Sequence, residues 1–453
     1  MKTMRSMRRY LAAALAFSAA LTVGCTGIRP TQQGTQGANK DFVIFTAERQ
    51  EQPKHPSAIY KNEDDMFKED SGFGEAMTKW NEANEKRLEA AQNAPDIGAF
   101  TRGLYAELMR SEAGNNVVCS PASVYIALAM LAEVTGGETR AEILKALGAS
   151  DIGTLRSGVA ALLKAETVDD GVQTSLIGNS FWLNESIKYK EEPLKALAEI
   201  YGASSFRGDP NDEAFKQALR DWLNENTGGL LKEAAKGIEP GTLITLANTI
   251  YFKARWENEF PKSLTKDDVF HAVSGDKKVP FMHGVIMHGN AVKGENFTAV
   301  SLPLKSGRSM LLFLPDEGVS AGDIMQGAMD AVFADTDFGG DYLINIALPK
   351  FDVSSNLDLI PAVKAMGIGQ CFASPDFGPL LEEDQDAVVS RINHAARVKI
   401  DEEGLEAAAY TVITADGAMF MDKTLDIAFD RPFMFVITGT SGAPLFMGAV
   451  NSL

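Results

Sequence analysis

The sequence predicts a mixed α+β fold. Helical periodicity and strand-like apolar runs follow one another irregularly, without the regular alternation of a doubly wound parallel sheet. No internal repeat is visible. Near the C-terminus, Phe433–Ile437 and Leu445–Val450 are apolar runs joined by a Gly-Thr-Ser-Gly sequence at 439–442, which predicts a β-hairpin.

The first residues are typical of an export signal. Four basic residues precede an uncharged run, Leu11–Val23, which is shorter than the roughly 20 apolar residues of a bilayer-spanning helix. Gly24 before Cys25 resembles the lipobox of bacterial lipoproteins, although Thr22 stands where the lipobox usually has leucine. We expect residues 1–24 to be a cleaved signal and Cys25 to carry a lipid, so that the protein is exported and anchored to a membrane only through that lipid. The alternative is ordinary secretion to the extracellular space, with Cys25 incidental.

Charge and cysteine content exclude several classes of protein. The chain has 453 residues, with 61 acidic and 43 basic side chains and a formal net charge of -18. This excess repels polyanions, and no basic patch is visible, so we expect neither a nucleic-acid partner nor a heparin-like cofactor. Three cysteines without a Cys-x-x-Cys pair argue against a zinc ribbon or a disulfide framework.

Residues 25–94 are predicted to be a lipidated tether followed by an N-terminal extension. From Thr26 to about Asp64 the chain has weak apolar periodicity and a composition typical of a flexible tether. Met66–Ala94 is helix-like but lacks a continuous apolar stripe. A packed domain is predicted to span residues 95–453.

Several elements of that domain can be predicted individually. Leu104 and Leu108 recur at helical spacing, Ser120 is a plausible N-cap with Pro121 in the first helical turn, and residues 211–232 have one apolar helical side. Further strand-like runs are Leu243–Phe252, Thr298–Leu304, Ser309–Leu314 and Tyr342–Leu348.

Motifs of catalysis and metal binding are not found. The sequence has no Gly-x-Ser-x-Gly, no His-Glu-x-x-His and no phosphate-binding Gly-x-x-x-x-Gly-Lys-Ser/Thr sequence. His283 and His288 lie in a repeated Met-His-Gly, but their five-residue offset suits neither a helical ligand pair nor one strand face. We therefore expect structural histidines, no metal and no cofactor.

The segment Asp401–Lys423, DEEGLEAAAYTVITADGAMFMDK, is the unusual feature of the sequence. Strand geometry would place uncharged side chains on one face, namely Leu405, Ala407, Ala409, Thr411 and Ile413. The other face would carry Glu406, Ala408, Tyr410, Val412 and Thr414. Residues 402–410 also have high helix propensity, so a helix or a solvated loop is the alternative from composition alone.

This segment resembles the reactive-loop hinge of the serpins, with the matching residues Glu403, Gly404, Leu405, Glu406, Ala407, Ala408 and Ala409. Other stretches resemble serpin sequences in the same order along the chain: Asn116–Leu147, Asn248–Trp256, Phe313–Gly318, Val389–His394 and Asp430–Phe435. The resemblance runs from about Pro95 to Leu453.

The resemblance implies a serpin fold of three β-sheets and about nine helices, with an exposed reactive-centre loop. It also implies a monomeric protease inhibitor with no catalytic residues of its own. A serine protease, or alternatively a cysteine protease, attacks the loop, and the loop then inserts into the largest sheet with the acylated protease attached. A non-inhibitory serpin that acts as a binding or storage module is the second possibility.

Counting fourteen residues from the hinge glycine, Gly404, places the reactive bond at Ala418-Met419, with Phe420 as the runner-up. Ala418 suits a shallow elastase-like pocket, whereas Phe420 suits a deeper pocket of chymotrypsin type. Subtilisin-like proteases are also expected targets.

The resemblance assigns further roles and reveals three departures, one of which is Tyr410, an aromatic residue on the outward face where the family has a small one. Trp256 occupies the breach at the top of the sheet, and Ser120, Ser123 and Asn248 occupy the region through which the sheet opens. Ala347 is assigned to the position where the family usually has a histidine that bonds these side chains. Leu405 stands where inhibitory members commonly have a smaller residue, and it is expected to face inward.

Overall fold

The structure is a computed structural model that describes residues 40–48, 51–60, 68, 71–227, 238, 242–305, 307–333, 339–383, 388–389, 392–405 and 423–453. These residues contain ten α-helices: α1 Pro56–Ile59, α2 Phe73–Gln92, α3 Gly98–Ser111, α4 Pro121–Val134, α5 Gly137–Ala146, α6 Ile152–Glu166, α7 Glu191–Tyr201, α8 Glu213–Glu225, α9 Met325–Phe333 and α10 Ile360–Ala365.

The described residues also form seventeen β-strands. The first nine are β1 Val43–Phe45, β2 Val117–Cys119, β3 Val168–Asp169, β4 Thr174–Asn184, β5 Ala203–Gly208, β6 Ile244–Arg255, β7 Lys266–Ala272, β8 Gly275–Gly294 and β9 Phe297–Pro303. The others are β10 Ser309–Pro315, β11 Tyr342–Pro349, β12 Phe351–Asp358, β13 Asn393–Asp401, β14 Gly404–Leu405, β15 Lys423–Ala428, β16 Phe433–Thr438 and β17 Pro444–Val450.

Eight strands form the large sheet, in the order β1-β5-β4-β6-β14-β13-β12, with β3 paired to β4. The β4–β6 and β12–β13 ladders are long and antiparallel, and β4–β5 is parallel. The two-residue strand β14 stands between β6 and β13, at one end of both.

The other nine strands form two sheets that share the 20-residue strand β8. Residues in the first part of β8 pair with β7 and β11, and β15 pairs with β11 in parallel; we call these strands the four-stranded sheet. Residues 290–294 of β8 pair with β9, and β10, β16, β17 and β2 complete the six-stranded sheet. The three predicted sheets and the mixed fold are confirmed.

Helix α4 lies between the large and the six-stranded sheets and packs against β6 and β17. Apart from Ser123 and Glu133 its residues are apolar or aromatic, and every residue except Ala127 is buried, as expected for a helix in the core. Its N-terminus forms as predicted, because the Oγ atom of Ser120 accepts a hydrogen bond from the backbone N–H of Ser123 at 3.2 Å.

Helix α8 covers the large sheet through the apolar side that the sequence predicts. Phe215 and Trp222 of this helix pack in one cluster with Trp182 of β4 and Phe206 of β5. The Trp182 and Phe206 rings are stacked, with their centroids 4.1 Å apart. The helix is shorter than the predicted 211–232, since it ends at Glu225.

The prediction of a flexible tether to about Asp64 is wrong for two pieces of the N-terminal extension. Val43–Phe45 pairs antiparallel with β5 and becomes the edge strand of the large sheet. The backbone N–H of His55 donates to the carbonyl oxygen of Asp170 at 2.8 Å, and the His55 ring contacts Trp80 of α2. The predicted helix of the extension is present as α2, which packs on α6.

None of the helices in the described residues is long and apolar enough to cross a membrane.

Candidate functional site

The two central strands of the large sheet, β6 and β13, are bridged at one end by β14. Leu405 pairs with Ala254 of β6 and with Ile400 of β13, and Gly404 pairs with Arg255 and Asp401. The strand pairings of the described residues include no direct ladder between β6 and β13. The hinge sequence therefore enters the sheet between these two strands.

Gly404 fits this position because its backbone lies against β6. Its φ is +148°, in the region that favours glycine, and a Cβ atom would lie 2.3 Å from the carbonyl oxygen of Ala254. A side chain here would push the hinge out of the sheet.

Leu405 faces the interior, as predicted. It is 3% exposed and lies in the main core, near Phe252, Val398 and Phe446. The core therefore already accommodates the branched side chain that departs from the family pattern. Because alternate residues of a strand share a face, this orientation also fixes which later residues would point inward if the strand continued.

Glu402, next to the hinge, is held by charge and hydrogen bonds. Its carboxylate accepts from the Nζ atom of Lys350 at 2.8 Å and from the Oγ1 atom of Thr265 at 2.8 Å, and its side chain is 8% exposed. Burial acts to raise the pKa of Glu402, but the bonds from Lys350 and Thr265 outweigh burial and hold the pKa below its usual value. The carboxylate thus ties the hinge to β11's end and to the segment before β7.

Trp256 lies beside the hinge, where the resemblance places it. Its Nε1–H donates to the carbonyl oxygen of Asp401 at 2.9 Å, and its backbone N–H donates to the carbonyl oxygen of Glu403 at 3.1 Å. Glu403 also forms an ion pair with Lys262. The start of the hinge is therefore fixed from both its backbone and its side chains.

A second cluster joins the start of β13 to α4. The backbone N–H of Ser120 donates to the Nε2 atom of His394 at 2.9 Å, so the ring proton is on Nδ1. His394 is 3% exposed, and burial lowers its pKa to about 4. The imidazole is therefore neutral at physiological pH, which its role as an acceptor requires.

Ser123 and Asn248 complete this cluster. Asn248 donates through its side-chain amide to the Oδ1 atom of Asn179 on the neighbouring strand β4. Asn248 and His394 line a cavity of about 20 Å³ between β6, β13 and α4. Ser120 and Asn248 thus lie beside His394, and Ser123 is joined to Ser120 by a hydrogen bond.

The assignment of Ala347 to this cluster is wrong, and His394 supplies the imidazole. Ala347 lies on β11 in the four-stranded sheet, where it pairs with His283 and Ala428. The sequence pattern around His394 indicates a buried position. Alternate residues of a strand share a face, so His394 lies on the same face as Ala396, Val398 and Ile400, and all four are buried.

Several predicted site residues lie outside the described residues. They are the lipidation residue Cys25, the hinge residues Glu406, Ala407, Ala408 and Ala409, and the reactive-bond residues Ala418, Met419 and Phe420.

The two histidines of the repeated Met-His-Gly are not placed as a metal pair. The Nδ1 atom of His288 lies 2.5 Å from Oδ1 of Asp341, and burial lowers the pKa of His283. In the part of the chain that the structure describes, no cluster of three or more His, Cys, Asp or Glu side chains is placed to hold a metal ion.

Comparison with known proteins decides the family. The family model of the serpins (serine protease inhibitors) matches residues 96–453. The chain belongs to the serpin family. An uncharacterized serpin-like protein of Thermococcus kodakarensis is 30% identical to this serpin over 386 residues, which are 82% of this chain and 88% of the relative.

Two solved structures show the same fold as this serpin. Tengpin, a thermophilic serpin in the native state, matches with a TM-score of 0.72 and 24% identity, covering 79% of this chain and 93% of tengpin. Human thyroxine-binding globulin also matches with a TM-score of 0.72 and 24% identity, covering 81% of this chain and 99% of that protein.

Proposed function

We propose that this serpin inhibits serine proteases outside the cell by a suicide mechanism. The protease attacks residues 406–422 as a substrate, and the acylated segment then inserts between β6 and β13. The observation that carries the proposal is the position of β14, which already pairs with both strands.

New ladder hydrogen bonds and apolar burial supply the driving force for insertion. Backbone N–H and C=O groups on the facing edges of β6 and β13 gain ladder hydrogen bonds when a strand enters between them. The inserted segment also buries its inward side chains, and a large one such as Ile413 contributes about 1.5–3 kcal/mol when fully buried, whereas an alanine contributes less. The protease moves with the segment because the acyl bond joins them.

The orientation of Leu405 supports insertion of the residues that follow. Because Leu405 is buried, period two directs Ala407, Ala409 and Thr411 into the sheet, and none of them is charged. Glu406 and Tyr410 would point to the other face. A charge among the inward residues would oppose insertion, since a buried unpaired charge is costly.

The target class follows from the side chains around the proposed reactive bond. No Lys or Arg occurs between Asp401 and Met421, so proteases that require a basic residue are poor candidates. Ala418-Met419 suits elastase-like or subtilisin-like proteases, and cleavage after Phe420 would suit a chymotrypsin-like pocket. In each case the nucleophile belongs to the protease, and this chain supplies the acyl group.

We further propose that the protein is exported and anchored through a lipid on Cys25. The support for this proposal is the basic and apolar order of the first 24 residues and the cysteine that follows them. A membrane anchor would keep the inhibitor at the cell surface, where secreted proteases meet it. Labelling with radioactive palmitate, lost in Cys25→Ser, tests the anchor.

The second candidate function is a binding or storage module without inhibition. Its support is the fold shared with human thyroxine-binding globulin, together with a leucine at position 405 instead of a smaller residue. The two functions differ after cleavage. An inhibitor traps its protease, whereas a non-inhibitory member is cleaved and releases it.

The test mixes the full chain with an elastase-like and a subtilisin-like protease and resolves the products by denaturing electrophoresis. Inhibition predicts an SDS-stable adduct whose mass is the sum of the protease and the chain without its C-terminal fragment. A cleaved chain with no adduct would contradict inhibition. Mass spectrometry of the released C-terminal fragment identifies the reactive bond.

A further inference from the structure

The four-stranded sheet has an outer face with large apolar side chains exposed. On β8, Val285 and Met287 alternate with the buried residues Met282 and Ile286, so both point away from the core. Val285 is 58% exposed, Met287 is 56% exposed and Leu264, which lines the same shallow groove as Val285, is 51% exposed. Isolated exposed apolar residues are common, but three on one face form a patch.

A β-bulge marks the end of this patch. The β8–β11 register shifts between Tyr342 and Ile344, and within β8 His288 has φ of +57°, a rare conformation for a residue other than glycine. His288 is held to Asp341 beside the bulge. Bulges change the direction of neighbouring side chains and are frequent at functional sites, and this one adjoins Met287.

The patch lies next to the point where the chain between residues 405 and 423 returns to the fold. Lys423 begins β15 and pairs with Tyr342 of β11, which pairs in turn with Gly289 of β8. Lys423 and the Met287 end of β8 are therefore two strand spacings apart, about 10 Å. Ala418 precedes Lys423 by five residues, which can span at most about 17 Å.

Chain length therefore restricts where a bound protease can be. A globular protease of about 220 residues has a radius of gyration of about 17 Å. If its active site holds Ala418-Met419, that active site lies within about 17 Å of Lys423, a distance close to the radius of the protease itself. On the β8 side, the surface within reach of such a protease includes the patch formed by Leu264, Val285 and Met287.

We propose that this patch is an accessory docking surface for the serine protease that attacks the loop. The inference rests on the proposed function and deepens it, because it assigns part of the target specificity to residues outside the loop. The complementary surface is an apolar rim beside the active-site cleft of the protease. Loss of one or two apolar anchors at an interface typically lowers affinity about tenfold or more.

The test measures the second-order rate constant for attack on the full chain by the elastase-like or subtilisin-like protease that cleaves it faster. Variants Val285→Lys and Met287→Lys place a charge on the patch. Val273→Lys is the matched control, because Val273 is a 63% exposed valine in the turn between β7 and β8, away from the patch. We expect the rate constant to fall about tenfold in both patch variants and to stay unchanged in the control.

The readouts separate this inference from the proposed function. Unchanged rates with normal adduct yield would overturn the docking surface and leave inhibition intact. Slower attack in the patch variants without any adduct would support the docking surface and contradict inhibition. Faster attack in the patch variants would show that the chain's own loop covers the patch. A concentration-dependent dimer that is abolished by Val285→Lys would assign the patch to self-association. Both faster attack and such a dimer would overturn the proposal.

Discussion

The backbone N–H of Ser120 donates a hydrogen bond to the Nε2 atom of His394 across 2.9 Å. This bond ties the first turn of α4 to the start of β13, one of the two strands that must separate for insertion. It exists only while the imidazole is neutral, because a protonated ring has no acceptor on Nε2. The native state of the large sheet is therefore sensitive to protonation at one residue.

Acidification is expected to weaken the native state through His394. The pKa of His394 is about 4 in the folded protein and about 6.5 when the chain is unfolded, so between these values the unfolded state binds more protons. Stability contributed by the neutral ring is complete above pH 6.5 and is lost as pH falls toward 4. The full change is about 3 kcal/mol, and thermal unfolding midpoints measured from pH 4 to 7.5 will show it.

Two variants identify the residue responsible. His394→Gln keeps an acceptor but cannot titrate, and we expect a weaker pH dependence over this range. His271→Gln removes an exposed histidine whose pKa is raised by its bond to Asp276, and it should keep the acid sensitivity. Identical pH profiles for the native protein and His394→Gln would rule out this account.

Charge reversal at Glu402 is expected to loosen the hinge. In Glu402→Lys two ammonium groups would face each other where Lys350 now donates at 2.8 Å, and Thr265 would lose its acceptor. We expect a loss of about 2 kcal/mol, less than for a fully buried pair because Lys350 is 35% exposed. Urea unfolding at neutral pH measures the change.

The control is Glu383→Lys, which breaks the exposed pair between Glu383 and Lys188. Exposed pairs contribute less than about 1 kcal/mol, so this variant should unfold almost as the native protein does. The double variant Glu402→Lys with Lys350→Glu should recover part of the loss. Equal losses of unfolding free energy in Glu402→Lys and Glu383→Lys would show that the pair between Glu402 and Lys350 has no special role.

The direction of Leu405 gives a prediction about two neighbouring residues. Ala407→Arg puts a charge on the face that enters the sheet, and it should convert the inhibitor into a substrate that is cleaved with at least about tenfold less adduct. Ala408→Arg puts the same charge on the opposite face and should leave the adduct yield nearly unchanged. Adduct and cleaved chain are quantified on the same gel, and equal yields for the two variants would contradict the assigned faces.

The N-terminal extension is expected to stabilise the edge of the large sheet. The ring of Phe42 packs against Phe215 of α8 with centroids 5.1 Å apart, and β1 pairs with β5. Deletion of residues 1–48 should lower the thermal midpoint by about 5 °C, since about 2 kcal/mol of apolar burial is lost. Deletion of residues 1–39 removes neither contact and should leave the midpoint in place. A single shared midpoint for both deletions would contradict a stabilising role.

Local patterns in the sequence were sufficient for most of the fold. The apolar runs at β10, β16 and β17 and the apolar side of α8 are repeated patterns that long-range packing does not alter. The pairing of Val43–Phe45 could not be predicted in this way, because three residues carry too little periodicity and their partner strand is about 160 residues away.

Family motifs predict some residues of the candidate site, whereas others are found only from the structure. Trp256 and the hinge were located by motif, because the spacing around Gly404 is compact. The motif around Ala347 points to β11, which lies in another sheet, whereas the alternating burial of His394, Ala396, Val398 and Ile400 indicates the strand that carries the imidazole. Strand β14 pairs with both β6 and β13. This pairing depends on tertiary contacts and cannot be predicted from residues 401–405 alone.

Insertion of a strand between β6 and β13 is the central claim, and the stability of the cleaved chain tests it most directly. The chain is cut within residues 406–422 by any endoprotease that cleaves there, freed of protease, and heated beside the intact protein. Each kcal/mol gained corresponds to about 2–4 °C in a domain of roughly 200 residues and to a smaller shift in a domain of this size. We predict that cleavage raises the unfolding midpoint by at least about 10 °C, whereas an unchanged or lower midpoint would contradict insertion and with it the proposed inhibitory mechanism.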